Sequence, residues 1–252
     1  MKKRVSMLWS FLGILLLMIL WEAASLVLKS DLLLPGPVPV SACFLTLLAT
    51  PRFLLSLGSS FFRVILGILI SAPLGAAAGL AAGRSRTAGE ILKPLFQVIS
   101  ATPVMSVILI AFLWFGQEKT PVFTSFLVIF PVMAANAVEG VKNIDPKLEE
   151  LLAVYGVQGT AKIRALYLPG LAPFILGGLR SSLSLCWKVV VAAEVLVQPL
   201  RALGTGMQNA RARLETAELF AWTAGTVCAA AFSQGLLSLA LRAFGKRRKE
   251  AA

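Results

Sequence analysis

The stretch LEELLAVYGVQGTAKIRALYLPG, Leu148–Gly170, interrupts a chain that is otherwise built from long apolar runs. Just before it, Asp145 can cap a helix, Pro146 suits the first helical position, and Glu149 and Glu150 fall near the positive end of the helix dipole. Leu148, Leu151, Leu152 and Tyr155 stand at i, i+3, i+4 and i+7, the spacing of one apolar stripe on a short amphipathic helix. Gly156 can end that helix in the left-handed conformation. A second short helix is expected from Gly159 or Thr160, with Ile163, Leu166 and Tyr167 on one face and Lys162 and Arg164 beside them, stopped by Pro169. Two readings fit such an element. It is either a loop folded back on a membrane surface or a docking device whose apolar face enters a partner's groove, and the spacing does not choose between them.

The flanking sequence sets the class. Of 252 residues, 58% are hydrophobic and 14% charged, far from the roughly 45–50% apolar and 25% charged balance of soluble domains. Runs of about 20 apolar residues are needed to cross a bilayer, and six are found, at roughly 9–28, 59–83, 95–115, 121–141, 173–197 and 217–241. The expected fold is therefore all-α, a polytopic membrane protein with about six transmembrane helices. It divides into an N-terminal helix and outer Pro-rich segment (1–56), a membrane domain (57–245) with the polar loop at 142–172, and a basic tail (246–252). The first run also fits a signal peptide, since MKKR, an apolar stretch and then EAAS follow one another. Apolar character resumes through Leu28, so a retained helix is expected.

Lys and Arg outnumber Asp and Glu by 24 to 12. The excess gathers at the two termini, at Arg84, Arg86 and Lys93, and at Lys142, Lys147, Lys162 and Arg164, all on one side of a six-span topology. Positive charge in short loops marks the cytoplasm, so both termini and the loop are expected there. The charge then serves orientation, and nucleic acid is not implied.

Within the spans, Gly67, Ser71, Gly75, Gly79 and Gly83 recur every four residues, aligning small side chains on one helix face so that a neighbouring backbone can approach. Generic helix packing explains this, as would a moving or dimer-forming seam. Pro103 is expected to kink a helix or start one. FGQEKTP reads as a tight outer turn, with Pro121 in the first turn of the next span. Ionisable groups inside membranes are functional candidates: Arg180, Lys188 and Glu194 are candidates for a translocation path, while Arg63 reads as structural and able to snorkel. Lys188 and Glu194 lie about 120° apart around one helix, so each is expected to meet something else.

Several chemistries are not encoded. There is no histidine, the commonest general base and metal ligand. Cys43, Cys186 and Cys228 have no pair spacing, and neither a phosphate loop nor G-x-G-x-x-G occurs. Neither catalysis nor a bound cofactor is expected of this chain.

The quoted stretch resembles the EAA loop of permease subunits of bacterial ABC importers: E-A-A, three residues, G, nine residues, I-x-L-P. Glu150 opens it, Gly156 holds the glycine position, Leu166 stands where Ile is usual and Leu168-Pro169 close it. Leu151-Leu152 replace the two alanines, which makes the face bulkier. Further segments resemble the nitrate, sulfonate, taurine and bicarbonate type: LLLPGPVPV, SSFFRVILGILISAPLGAAAGLAAGRSR, ATPVMSVILIAFLWFG, GGLRSSLSLCWKVVVAAEVL and LGTGMQNARARLETAELFAWT, in order over about Leu33–Leu241. The resemblance implies a permease subunit in the bacterial inner membrane. It pairs with a second permease subunit, identical or related, binds ABC ATPase subunits that use the ATP, and receives solute from an extracytoplasmic solute-binding protein. In that scheme Glu150 and Gly156 shape the coupling element, the Leu and Tyr stripe fills the ATPase groove, and Leu168-Pro169 tie it to the fifth span. Nitrate, sulfonate, taurine, bicarbonate and a pyrimidine vitamin precursor all stay open as substrates. The alternative from another class is an ion-gradient-driven secondary transporter, which should carry inverted repeats and broken helices meeting at the midplane.

Overall fold

The computed structural model describes residues 2–250, with side chains for Trp9 and 12–241. Its elements are helical throughout: α1 (Lys2–Leu28), α2 (Pro37–Leu48), α3 (Pro51–Arg84), α4 (Arg86–Ala101), α5 (Val104–Lys142), α6 (Pro146–Val154), α7 (Gly159–Lys162), a π-helical turn (Ile163–Tyr167), α8 (Leu168–Val197), α9 (Leu203–Ala212) and α10 (Thr216–Glu250). Among the described residues, four helical stretches are long and apolar enough to cross a bilayer: Pro51–Arg84, Val104–Lys142, Gly159–Val197 and Thr216–Leu241. α1 adds the shorter apolar segment Leu12–Leu28, its side chains mostly exposed. The basic side chains of 246–252 lie outside the described residues.

Several expected boundaries shift, each for a local reason. The second span begins at Pro51, where Thr50 accepts a hydrogen bond from the Phe53 N–H (3.3 Å) and proline fills the first helical position, so no structural division falls at 56–57. The third span is broken, because Pro103 caps a new helix at Val104 and leaves α4 separate. The expected outer turn shrinks to one residue: Gly116, at φ 67° and ψ −179°, interrupts α5, and helix resumes at once. Only glycine adopts that conformation without strain. The fifth span starts at Leu168, not Pro173, and Pro169 does not stop the preceding helix. The π-helical turn before it, with the Leu168 N–H bonded to the Ile163 carbonyl, lets proline enter the first turn of α8, where an N–H is dispensable.

α3, α5 and α8 form the core of the bundle, and the seam of small residues on α3 faces α5. A Cβ at Gly75 would stand 2.6 Å from the Phe130 carbonyl oxygen, one at Gly79 would strike the Ala134 carbonyl, and one at Gly83 would lie 2.8 Å from Val141 Cβ. The seam is therefore internal packing within this chain, which brings two backbones close enough for sustained dispersion contact. Around it Val64, Ile129, Met133, Cys186, Trp187 and Val190 make the main apolar core. At the end of the bundle carrying α9, Trp222 is fully buried and fills the space beside Gly206, where a Cβ would come within 2.5 Å of its ring.

Gly75→Val and Gly79→Val are expected to lower the thermal unfolding midpoint of the purified protein in detergent by several degrees, reflecting overpacking of about 1–3 kcal/mol. Gly177→Ala, where a Cβ meets nothing within 4 Å, is the neutral control. Equal midpoints for all three would show that the seam tolerates separation.

Candidate functional site

Two polar constructions stand at opposite ends of α8. The first is the quoted loop. Asp145 caps α6 by accepting from the Lys147 N–H (2.9 Å), as its position before Pro146 suggested. At the other end the Val157 N–H reaches the Leu152 carbonyl (2.9 Å) and the Gly156 N–H the Ala153 carbonyl (3.1 Å), with Gly156 at φ 69°. This is the paired closure of a Schellman motif, which needs the left-handed residue at Gly156. Leu148, Leu151 and Tyr155 are exposed, the last by 75%, and Val154, which the stripe reading missed, is exposed by 85%. Leu152 is half-buried, so Leu151 alone of the leucine pair presents its full bulk.

The second half of the loop turns inward. Leu166 and Tyr167 are buried, and Tyr167, with the partly buried Ile163, packs with Ala137, Leu171, Val141 and Ile144 at the ends of α5 and α8. They root the loop, while the α6 face stays free. The tie between the halves is Glu149: the Tyr167 hydroxyl donates to its carboxylate, and Lys162 Nζ lies 3.6 Å from it. The Arg84 guanidinium sits 5.6 Å from the Tyr167 ring centroid, within cation–π range. The anchoring acid is thus Glu149. Glu150 is exposed and makes no hydrogen bond among the described residues. Leu168 is exposed and Pro169 half-buried at the junction with α8.

The second construction is at the α9 end, around Glu194. This residue has no exposed surface. Ser60 Oγ donates to it at 2.8 Å, Arg63 Nη1 at 2.9 Å and the Gly204 N–H at 3.2 Å. Arg63 also donates to the Arg201 carbonyl (3.0 Å) and, through Nη2, to Glu118 (2.6 Å). Glu118 in turn accepts from the Leu200 N–H (3.1 Å), and Ser60 Oγ accepts from the Leu203 N–H (3.0 Å). One network therefore joins α3, α5, α8 and the loop entering α9.

This corrects two expectations. Arg63 does not snorkel, because it is buried between two carboxylates. Glu194 does meet another helix, but it is locked into protein on every side and lines no open path. Ser60 and Glu118 went unnoticed in the sequence. The available signal was a lone acid and a lone base buried in separate spans, which must find partners.

Arg180 and Lys188 remain exposed on α8. With Gly177, Ser181 and Ser184 they mark an open side of the helix, and neither makes an ion pair among the described residues. Lys188 borders a groove of about 580 Å³ with Thr223, Thr226 and Gln234 of α10.

Glu194→Ala and Arg63→Ala are each expected to cost about 3–5 kcal/mol, because each leaves a buried charge without its partner. Glu118→Gln, at a side chain 55% exposed, is expected to cost at most about 1 kcal/mol. In the double variant Arg63→Ala/Glu194→Ala the two losses are expected to fall well short of additive. Thermal unfolding in detergent checks all four, and additive losses would show that the pair is not coupled.

The model for the family "binding-protein-dependent transport system inner membrane component" matches residues 71–249. The taurine transport system permease protein TauC of Escherichia coli (strain K12) is 32% identical over 238 residues, 92% of this chain and 85% of that protein. A Bacillus subtilis (strain 168) permease named for aliphatic sulfonates transport is 30% identical over 204 residues, covering 80% and 74% of the two chains. A chain from the crystal structure of a bacterial ABC transporter involved in the import of alginate superposes with a TM-score of 0.65 at 16% identity, over 97% of this chain and 98% of that one. That likeness concerns the fold. The alternative of an ion-gradient-driven transporter is set aside: this chain belongs to the binding-protein-dependent transport system inner membrane component family, and is a multi-pass permease subunit of an ABC importer.

Proposed function

We propose that this permease imports a small organic anion of the sulfonate class, works as a pair with a second copy or a related subunit, and is driven by ATPase subunits that dock on α6. In this reading the chain binds no cofactor and catalyses no reaction, ATP being used by its partners. The carrying observation is the free apolar face of α6, Leu148, Leu151, Val154 and Tyr155, on a helix whose other contacts are fixed by Glu149 and Tyr167. A rooted amphipathic helix with an unpartnered face suits helix-in-groove recognition, and this favours docking over a loop resting on lipid. The α6 end is cytoplasmic by its Lys and Arg content, which puts both termini there and leaves α9 to meet the solute-binding protein outside. The sulfonate class is supported by the relatives named for taurine and aliphatic sulfonates and by the cations Arg180 and Lys188 on the open side of α8.

Tyr155→Asp and Leu151→Asp are expected to abolish co-purification of the ATPase while leaving the permease folded, since both side chains are exposed in the isolated chain. Undiminished co-purification of both would overturn docking through α6. Lys188→Glu is expected to abolish uptake of radiolabelled taurine or alkyl sulfonate in reconstituted vesicles, and unchanged affinity and rate would remove Lys188 from the path.

A further inference from the structure

α4 is the helix that the established activity leaves without a task. It has two exposed faces of opposite character. Ile91, Leu95 and Val98 form one, exposed by 68, 47 and 65%. Arg86, Glu90, Lys93, Gln97 and Ser100 recur at helical spacing on the other, which looks across a cleft of about 620 Å³ at Pro131, Ala135, Val138 and Lys142 of α5.

The two helices run side by side in opposite directions. Arg86 and Lys142 stand at one mouth of the cleft, Ser100 and Pro131 line its far end, and the Phe96 and Phe130 rings meet at 5.7 Å between their centroids. From Lys142 to Pro131 is about 16 Å along α5 at 1.5 Å per residue, or about half the hydrocarbon thickness. Gln97 and Ser100 therefore lie about 16 Å down the cleft from its basic mouth, beside the membrane-spanning stretch of α5. Both are exposed, and neither has a hydrogen-bond partner among the described residues. Hydrocarbon does not satisfy such groups, so polar side chains at this depth face protein or water. An anionic lipid headgroup would account for the mouth of the cleft but not for its floor.

The charge is one-sided. Arg86, Lys93 and Lys142 face a single acid, Glu90, and none of the three cations makes an ion pair among the described residues. A cleft lined by one sign of charge with low-dielectric walls concentrates ions of the other sign. We propose that the α4–α5 cleft is a water-filled vestibule that draws small anions, and that it forms the cytoplasmic exit of the permease, with Lys93 setting its charge preference. The exit role rests on the proposed orientation and on anion import, whereas the wet, anion-selective character of the cleft does not.

The test uses the full-length permease in membrane vesicles, with Ser100→Cys and, separately, Gln97→Cys. Each is exposed to two membrane-impermeant methanethiosulfonates, one carrying an ethylsulfonate and one a trimethylammonium group. Modification is measured by intact mass above that of the parent protein. In inside-out vesicles both positions are expected to react, with the sulfonate reagent several-fold faster relative to the rates of the two reagents with a free thiol. Lys93→Glu, which leaves two cations facing two acids, is expected to abolish the preference, and Ile91→Cys, on the apolar face, to stay unmodified. If both cysteines are unreactive in either vesicle orientation, or if Lys93→Glu leaves the preference unchanged, the vestibule is overturned whatever the solute. Reaction confined to right-side-out vesicles would instead overturn the proposed orientation, and with it the exit role.

Discussion

A carboxylate with no exposed surface inside an apolar bundle requires charge and hydrogen-bond partners, and everything at the α9 end of this protein is arranged around supplying them to Glu194. Its partners come from α3, through Ser60 and Arg63, and from the backbone at Gly204. Breaking such a pair leaves an uncompensated buried charge, which is far more costly than the pair is favourable. The network therefore acts less as a source of net stability than as a constraint on geometry. Any arrangement in which α3, α8 and the start of α9 drift apart exposes an unpaired ion to hydrocarbon.

The same helix that carries Glu194 at one end is rooted at the other by Tyr167, whose hydroxyl binds Glu149 of α6. Helix is continuous from Gly159 to Val197, the π-helical turn accommodating Pro169 without a break. A helix pinned at both ends moves as a rigid body, since cores are bistable and do not deform continuously. This gives the proposed coupling a physical carrier. Displacement of α6 by a partner reaches the α9 end through one element, and the Arg63–Glu118 contact, with Glu118 half in solvent, is the part of the lock that yields most easily. Between these ends the glycine seam holds α3 against α5 so closely that the two behave as one slab, and the polar face of α4 lines a cleft along it.

Much of this was legible in the sequence because it rests on local rules. Six apolar runs, the Asp145 cap, the Gly156 stop and the four-residue repeat on α3 follow from helical periodicity and backbone preference, which act within a few residues. Of the two outcomes open at Pro103, a kink or a helix start, the structure shows the start. Boundaries that depend on neighbours were not legible: Pro169 looked like a stop, and the π-helical turn that admits it forms where Tyr167 is buried against α5.

By itself, then, the sequence determined the class of the protein, the type of its elements, and the cap and stop of the helix that opens the quoted loop. Only the tertiary structure decided which polar residues are tied and which are free. Glu149 anchors and Glu150 does not, and Glu194 is sealed while Lys188 is open, although each pair shares one helix. The reason is that spacing fixes a side chain's angle around its own helix but not the neighbour it meets, and a charge in the membrane takes its role from that neighbour. Ser60 and Glu118, 58 residues apart in sequence, are joined through Glu194 and Arg63 only once three helices have packed.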